Sequence, residues 1–343
     1  MAGISTTGAP QEYCYVLLPR FSMLAFTGAI EPLRAANSVS GLDFYRWRLA
    51  SIDGQPVTAS NGIPLVPDCS IDEVERPDLI LICAGMEPME TLTPPLINWL
   101  RRKARHGVPL AGIGTGAYAM AKAGLLDGYR CTVHWENMAG FQEIFPRLHV
   151  TANLFEIDRD RITCAGGTAS LDLLLHLIGE QHGGDLRAAV SEWFLHTMAR
   201  PSDAPQRMEL RQRVGVSHSR LLSAIAEIEA NIAEPLSRAE LADRVGISAR
   251  QLERLFRVHL NCTPSRYYLD VRLKRAKILL SQTSLSILEI AIACGFASAS
   301  HFAKCYRAAF GRPPRQERAD EVRARRSGVP MVSRAPAEEE AVG

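Results

Sequence analysis

Two stretches in the last third of the chain follow one plan. From Ser237 to Leu260 the sequence reads SRAELADRVGISARQLERLFRVHL, and from Ser286 to Phe310 it reads SILEIAIACGFASASHFAKCYRAAF. In the first stretch Ser237 and Glu240 have the spacing of a capping box, and Leu241, Ala242 and Val245 recur at helical spacing. Gly246 breaks this helix where a tight turn needs a residue without a side chain. Ser248 then caps a second helix whose buried stripe is Leu252, Leu255 and Phe256. The second stretch repeats the plan: Glu289-Ile290-Ala291 matches Glu240-Leu241-Ala242, and Gly295 matches Gly246. After one extra turn residue, Phe302 and Tyr306 match Leu252 and Phe256. A break repeated in both copies constrains the fold more than either copy alone. It specifies two helix-turn-helix units in an all-α module.

Pro264 to Gln282 joins the units without an internal Gly or Pro. Tyr268, Val271, Leu273, Ala276, Leu279 and Leu280 mark its apolar side, which predicts one long helix with Pro264 near its start. A helix of roughly 18 residues is about 27 Å long, so it holds two recognition helices about one DNA turn apart. Arg220 to Ala233 adds a further amphipathic helix with Leu221, Leu222, Ile225 and Ile228 inside. Charge points the same way. The chain carries a net +2, but residues 216–318 hold 16 Lys/Arg against 9 Asp/Glu, and residues 1–215 hold 19 against 23. A basic module behind an acidic body suits a polyanionic partner, although a solvated basic face has the same composition. Arg250, Gln251, Glu253, Arg254 and Arg257 face outward from the first unit, and Ser298, Ser300, His301, Lys304 and Arg307 from the second. Arg reaches guanine bidentately, Gln suits adenine, and Ser or Lys holds phosphate. Glu253 is expected to pair with Arg250 and Arg257.

Residues 217–318 resemble the AraC/XylS family of bacterial regulators, most specifically in GFASASHFAKCYRAAFGRPPRQER. The resemblance implies double-stranded promoter DNA as a partner. It assigns DNA contacts to Ser248, Arg250, Gln251 and Arg254 on the first recognition helix. On the second it assigns them to Ser298, Ser300, His301 and Lys304. It further implies a transcription activator, with RNA polymerase as a partner.

The N-terminal body alternates strands and helices. Tyr13–Leu18, Trp47–Ile52, Leu79–Cys83, Pro109–Ile113 and Ile162–Cys164 read as strands, with a short hairpin arm at Ile63–Val66. Phe21–Val39, Leu96–His106, Ala117–Ala123 and Thr168–Gly183 read as helices. This alternation predicts an α/β domain, a flavodoxin-like, mostly parallel sheet sandwiched by helices. The sharp turn Gly114-Thr115-Gly116 is of the kind that lifts a nucleophile over a helix N-terminus.

Residues 12–199 resemble the PfpI-like branch of the class I glutamine amidotransferase fold. The resemblance implies a cysteine at the elbow, and Gly114 stands there instead. Thr115 is not placed to replace it, so no covalent intermediate is expected and no residue is catalytic. The alternative is a PfpI-like hydrolase or amidase tethered to DNA, with Cys83 or Cys131 as substitute nucleophile. The pairing of the two domains resembles the GlxA family of regulators, notably in AFTGAIEPLRAAN, CTVHWE and CAGGTASLDLLLHLI. It implies a dimerising domain that senses a small-molecule effector such as an amino acid or a methylated amine. The implied pocket has the Gly114, Thr115 and Gly116 amides for a carboxylate, the Trp135 ring to face a cation, Glu31 or Glu136 to neutralise it, and His134 beside them. The competing reading makes Glu31 and His134 hydrogen-bonding residues of a vestigial site and Trp135 a packing residue.

Length, at 343 residues, suits about two domains. The boundaries expected are a sensing domain over 10–199, a linker over 200–215, the DNA-binding domain over 216–318 and a disordered tail over 319–343. The eight cysteines form no CxxC pair and suit buried free thiols in a reducing compartment. No metal or cofactor is expected. No apolar stretch reaches the ~18 residues of a membrane span, so no membrane partner is expected and the expected location is the cytoplasm.

Overall fold

The computed structural model describes residues 9–326 except Glu87, and side chains as far as Asp320. The first domain alternates β1 (Gln11–Leu17), α1 (Met23–Ser40), β2 (Tyr45–Ser51), β3 (Val57–Thr58), β4 (Pro64–Leu65), β5 (Cys69–Ser70), β6 (Leu79–Ala84) and α2 (Pro94–Arg105). It continues through β7 (Leu110–Gly114), α3 (Gly116–Lys122), β8 (Arg130–Cys131), α4 (Trp135–Ile144), β9 (His149–Val150) and β10 (Phe155–Asp158). β11 (Arg161–Cys164), α5 (Ala169–His182) and α6 (Gly184–Trp193) complete it. The main sheet has seven strands in the order β10-β11-β7-β6-β1-β2-β5, parallel except for the antiparallel β10–β11 pair. Alternate residues of β1 divide between two cores. Tyr13, Tyr15 and Leu17 pack with α1 and α5, whereas Cys14 and Val16 pack with residues of α2 and α3. From Tyr13 onward β1 is therefore apolar without interruption, as a strand covered on both faces must be.

The hairpin expected around Ile63–Val66 is the β3–β4 pair, with Val57 opposite Leu65. Residues 200–215 are not a loose linker. Arg200 donates to the fully buried Asp172 carboxylate, the Leu154 amide donates to the Ser202 carbonyl, and the Gln206 amide donates to the carbonyls of Val133 and Asn153. The irregularity that suggested a linker reflects prolines at 201 and 205, not absence of contacts.

The second domain comprises α7 (Leu210–Val214), α8 (Ser219–Ala230), α9 (Arg238–Arg244), α10 (Ala249–Leu260), α11 (Pro264–Gln282), α12 (Ile287–Ala293), α13 (Ala299–Phe310) and α14 (Pro314–Arg326). α8, α9, α10 and the start of α11 enclose one core, and the rest of α11 with α12 and α13 encloses another. α14 runs to Arg326, past the Arg318 where periodicity was expected to end. Pro314 suits a first helical turn, and neither Gly nor Pro follows until Gly328. The remainder of the expected tail, 327–343, lies outside the described residues.

Candidate functional site

In the second domain each unit is capped as its sequence dictates. Ser237 and Ser286 accept from the amides of Glu240 and Glu289, whose side chains accept back from the serine amides. Gly246 (φ 68°) and Gly295 (φ 72°) make the turns. A Cβ at Gly295 would lie 2.6 Å from the Ile232 carbonyl oxygen, so only glycine fits there. An arginine anchors each turn. Arg220 Nη1 donates to the Val245 carbonyl at 2.7 Å. Arg272 Nε and Nη2 donate to the carbonyls of Cys294 and Gly295 at 2.7 and 2.6 Å, with the guanidinium stacked 4.0 Å over Phe296. The sequence reading missed both arginines, because each bonds to a turn 22 or more residues away.

α10 and α13 follow these turns. Leu252, Leu255 and Phe256 are buried, as are Phe302 and Tyr306. Ser248, Arg250, Gln251, Arg254, Ser298, Ser300, His301 and Lys304 are all exposed. Ser248 and Ser298 also serve as N-caps, accepting from the amides of Gln251 and His301 at 3.2 Å. Gln251 Oε1 accepts from the Ser248 amide at 2.9 Å, so it must release that bond to read a base. No ion pair ties Arg250, Arg254 or Lys304 to another described residue. Glu253 pairs with Arg257 at 3.2 Å and with Arg238 at 3.4 Å, not with Arg250. Arg238 on α9 crosses to it, which leaves Arg250 free for the outer face. α11, with 19 residues, spaces the two units over about 28 Å.

In the first domain the elbow is present but closed. Gly114 has φ 65°, the left-handed geometry of a strained turn. A Cβ on Gly166 would meet the Gly114 Cα at 2.9 Å, so the Gly166 backbone lies directly on the elbow. Gly114, Thr115 and Gly116 are buried, and the Thr115 hydroxyl donates to the Gly85 carbonyl at 2.6 Å. The amides expected to hold a carboxylate there therefore lie in buried backbone. Glu31 is also not at the elbow. The same Cβ on Gly166 would lie 3.6 Å from Ala25, which is therefore the α1 residue beside it. Glu31 is six residues on, about 9 Å along the axis, and is half-exposed with its carboxylate 2.8 Å from Arg34. Burial pushes the Cys131 thiol up to about 12 and Cys83 higher still, so neither supplies a thiolate.

His134, Trp135 and Glu136 serve α4 instead. His134 Nδ1 caps the helix by accepting from the Glu136 amide, at 3.4 Å, and burial lowers its pKa below the ordinary 6.5. Trp135 faces the Arg207 guanidinium, 4.6 Å from the ring centre, so the cation it meets is internal. Glu136 is exposed and approaches His134. α4 itself packs on α11. Ala139 is buried in one cluster with Leu273, Ala276 and Leu280. A Cβ at Gly140 would lie 3.2 Å from side-chain atoms of both Gln282 and Thr283. Glu143 lies 3.9 Å from Arg275, whose pKa burial lowers.

Residues 241–320 match the helix-turn-helix domain model, and residues 17–180 match the DJ-1/PfpI family. The chain is 49% identical to the HTH-type transcriptional regulator CdhR of Pseudomonas aeruginosa, over 90% of this chain and 92% of that protein. It is 36% identical to the HTH-type transcriptional regulator GlxA of Rhizobium meliloti, over 92% of this chain and 97% of that protein. Among solved structures, an AraC family transcriptional regulator from Pseudomonas putida aligns with 54% of this chain and all of its own, at 33% identity and TM-score 0.50. No described helix is long and apolar enough to cross a membrane. With two capped helix-turn-helix units behind a PfpI-like sheet whose elbow carries a glycine, the chain belongs to the family of HTH-type transcriptional regulators that join a DJ-1/PfpI domain to an AraC-type DNA-binding module.

Proposed function

We propose that this regulator acts as a homodimer that activates transcription when a small metabolite binds its first domain. The observation that carries the reading is the direct seat of α4 on α11, the helix that spaces the two recognition helices. A ligand that prefers one arrangement of the first domain then biases the placement of both DNA-reading elements, and bound DNA biases ligand affinity by the same factor. Arg250, Gln251 and Arg254 on α10, and His301 and Lys304 on α13, read base edges in two successive major grooves. Ser248, Ser298 and Ser300 hold phosphate. The elbow performs no chemistry, because Gly114 brings no nucleophile and the buried thiols stay protonated.

The test is a salt titration of promoter-fragment binding by the full chain. Affinity should fall steeply with salt as phosphate counterions are released. Arg254→Ala and Lys304→Ala should each weaken binding by about 1–3 kcal/mol if each reads a base. Unchanged affinity in both variants refutes the docking assignment, and turnover of an ester or amide substrate by the wild type refutes the non-enzymatic reading.

A further inference from the structure

The first domain does not meet the two helix-turn-helix units equally. We propose that Ala139, Gly140 and Glu143 of α4 are positioning residues for α13, so that the half-site read by α13 is the regulated one and the half-site read by α10 is read constitutively. This inference rests on the function proposed above and narrows it: α13 moves relative to α10, which holds its place.

The two units differ in what closes their cores. Ala139 is buried in the core of the second unit, with Leu273, Ala276 and Leu280 of α11, Ile290 of α12, and Phe302 and Tyr306 of α13. Among the described residues, none before Leu210 enters the core of the first unit. Close-packed interiors transmit strain from one wall to the others. A shift of α4 therefore reaches the seat of α13 directly and leaves the core under α10 untouched.

Two further contacts lead to the same place. Gly140 lies against Gln282 and Thr283, where α11 ends and the chain turns towards α12. The Thr283 hydroxyl holds this exit, donating to the Leu279 carbonyl at 2.7 Å and accepting from the Leu285 amide at 3.4 Å. Glu143 approaches Arg275, which stands one turn along α11 from Arg272. Arg272 is the residue that grips the carbonyls of Cys294 and Gly295 in the second turn. The Cys294 thiol feels all three charges. Its pKa is raised to about 12, by burial first and by Glu143 least, while Arg275 and Arg272 oppose the rise. A carboxylate of the first domain is thus within electrostatic reach of the turn that aims α13.

The first unit has no such seat. Its turn is held by Arg220 of α8, inside its own module. α8 does meet the segment ahead of it, through Glu229 with Arg213 at 2.9 Å and with Arg207 at 4.0 Å, and Arg207 faces Trp135 of α4. That route crosses a partly exposed ion pair, which couples weakly. Glu229 also lies nine residues from Arg220, about 14 Å along α8.

The experiment selects binding sites for the full chain from a randomised DNA pool, then measures affinity for the selected site with one or the other half scrambled. Arg254→Ala should lose discrimination at one half and Lys304→Ala at the other, which assigns the halves to α10 and α13. Glu143→Lys and Gly140→Leu should change the penalty for scrambling the α13 half by roughly fivefold or more, the lower end of allosteric coupling, and leave the α10 penalty within about twofold of wild type. Glu143→Lys combined with Arg275→Glu restores an opposite-charge pair and should return the α13 penalty to wild type. General damage to the fold would weaken both halves together, and the second substitution would not repair it. Penalties that change equally at both halves, or at neither, overturn the proposal, as does a double variant no better than Glu143→Lys. Halves that Arg254→Ala and Lys304→Ala do not separate overturn the two-groove docking and the proposal with it. A wild type that selects no site with salt-sensitive affinity overturns the regulator reading itself.

Discussion

Gly114 decides the chemistry of the first domain at the scale of one residue. Its absent side chain removes the nucleophile, and the space around it has closed: a Cβ there would stand 2.9 Å from the Ala84 carbonyl oxygen. A left-handed φ adds strain for any residue but glycine. Gly114→Cys is therefore expected to cost about 1–3 kcal/mol of stability and to yield no hydrolase. Chemical denaturation and an ester-turnover assay check both, and measurable turnover would show that the site lacks only its nucleophile. The loss of the nucleophile was legible in the sequence because the elbow's local glycine pattern survives. The placement of Glu31 was not, because α1 slides past the elbow by more than a turn, and the sequence does not record that offset. The exposed residues of α10 and α13 were legible for the opposite reason: helical period alone puts them opposite the buried stripes. Arg220 and Arg272 escaped notice because their partners are carbonyls distant in sequence.

Among the elements, α4 has the most consequence and the weakest sequence signal. Its ten residues include Gly140, and their apolar positions do not form a regular stripe. The sequence reading takes His134, Trp135 and Glu136 as pocket residues and expects no helix there, yet α4 begins at Trp135. The paired helix-turn-helix plan and most of the strand alternation, by contrast, follow from local periodicity and capping and were legible, whereas the short β5, β8, β9 and β10 were not. His134 begins α4, and its neutral Nδ1 is the capping acceptor. Burial lowers its pKa from 6.5, so the folded state binds the proton more weakly than the unfolded chain does. Its contribution to stability is then complete above about pH 6.5 and is lost as pH falls through the lower folded value. The melting temperature should drop more between pH 7.5 and pH 5.5 in wild type than in His134→Asn, which caps without titrating. Equal drops in the two proteins would remove His134 from the account of α4.

Across the whole molecule, the α4–α11 contact sets how effector and DNA communicate. It joins a small apolar patch around Ala139 to the Glu143–Arg275 pair. It also leaves Arg275 Nε and Gln282 Oε1 buried without a partner among the described residues. Unmatched polar atoms lower the free energy needed to part the two surfaces. A contact with these properties suits a joint that can open, and coupling between sites needs an element with two arrangements of similar free energy. Gly140→Leu places a side chain where Gln282 and Thr283 now sit, and Glu143→Lys sets like charges against Arg275. Each should displace α11 from α4 while leaving α10 and α13 intact. The expected result is promoter affinity that no longer depends on effector, with the ligand-induced melting shift of the first domain retained. Allosteric coupling is typically about 1–3 kcal/mol, so its loss amounts to a change of roughly 5–150-fold in the effector's influence on DNA affinity. Variants that keep the full effector response would show that the signal bypasses this joint, leaving the segment from Arg200 to Gln206, pinned to Asp172 and Asn153, as the route between the domains.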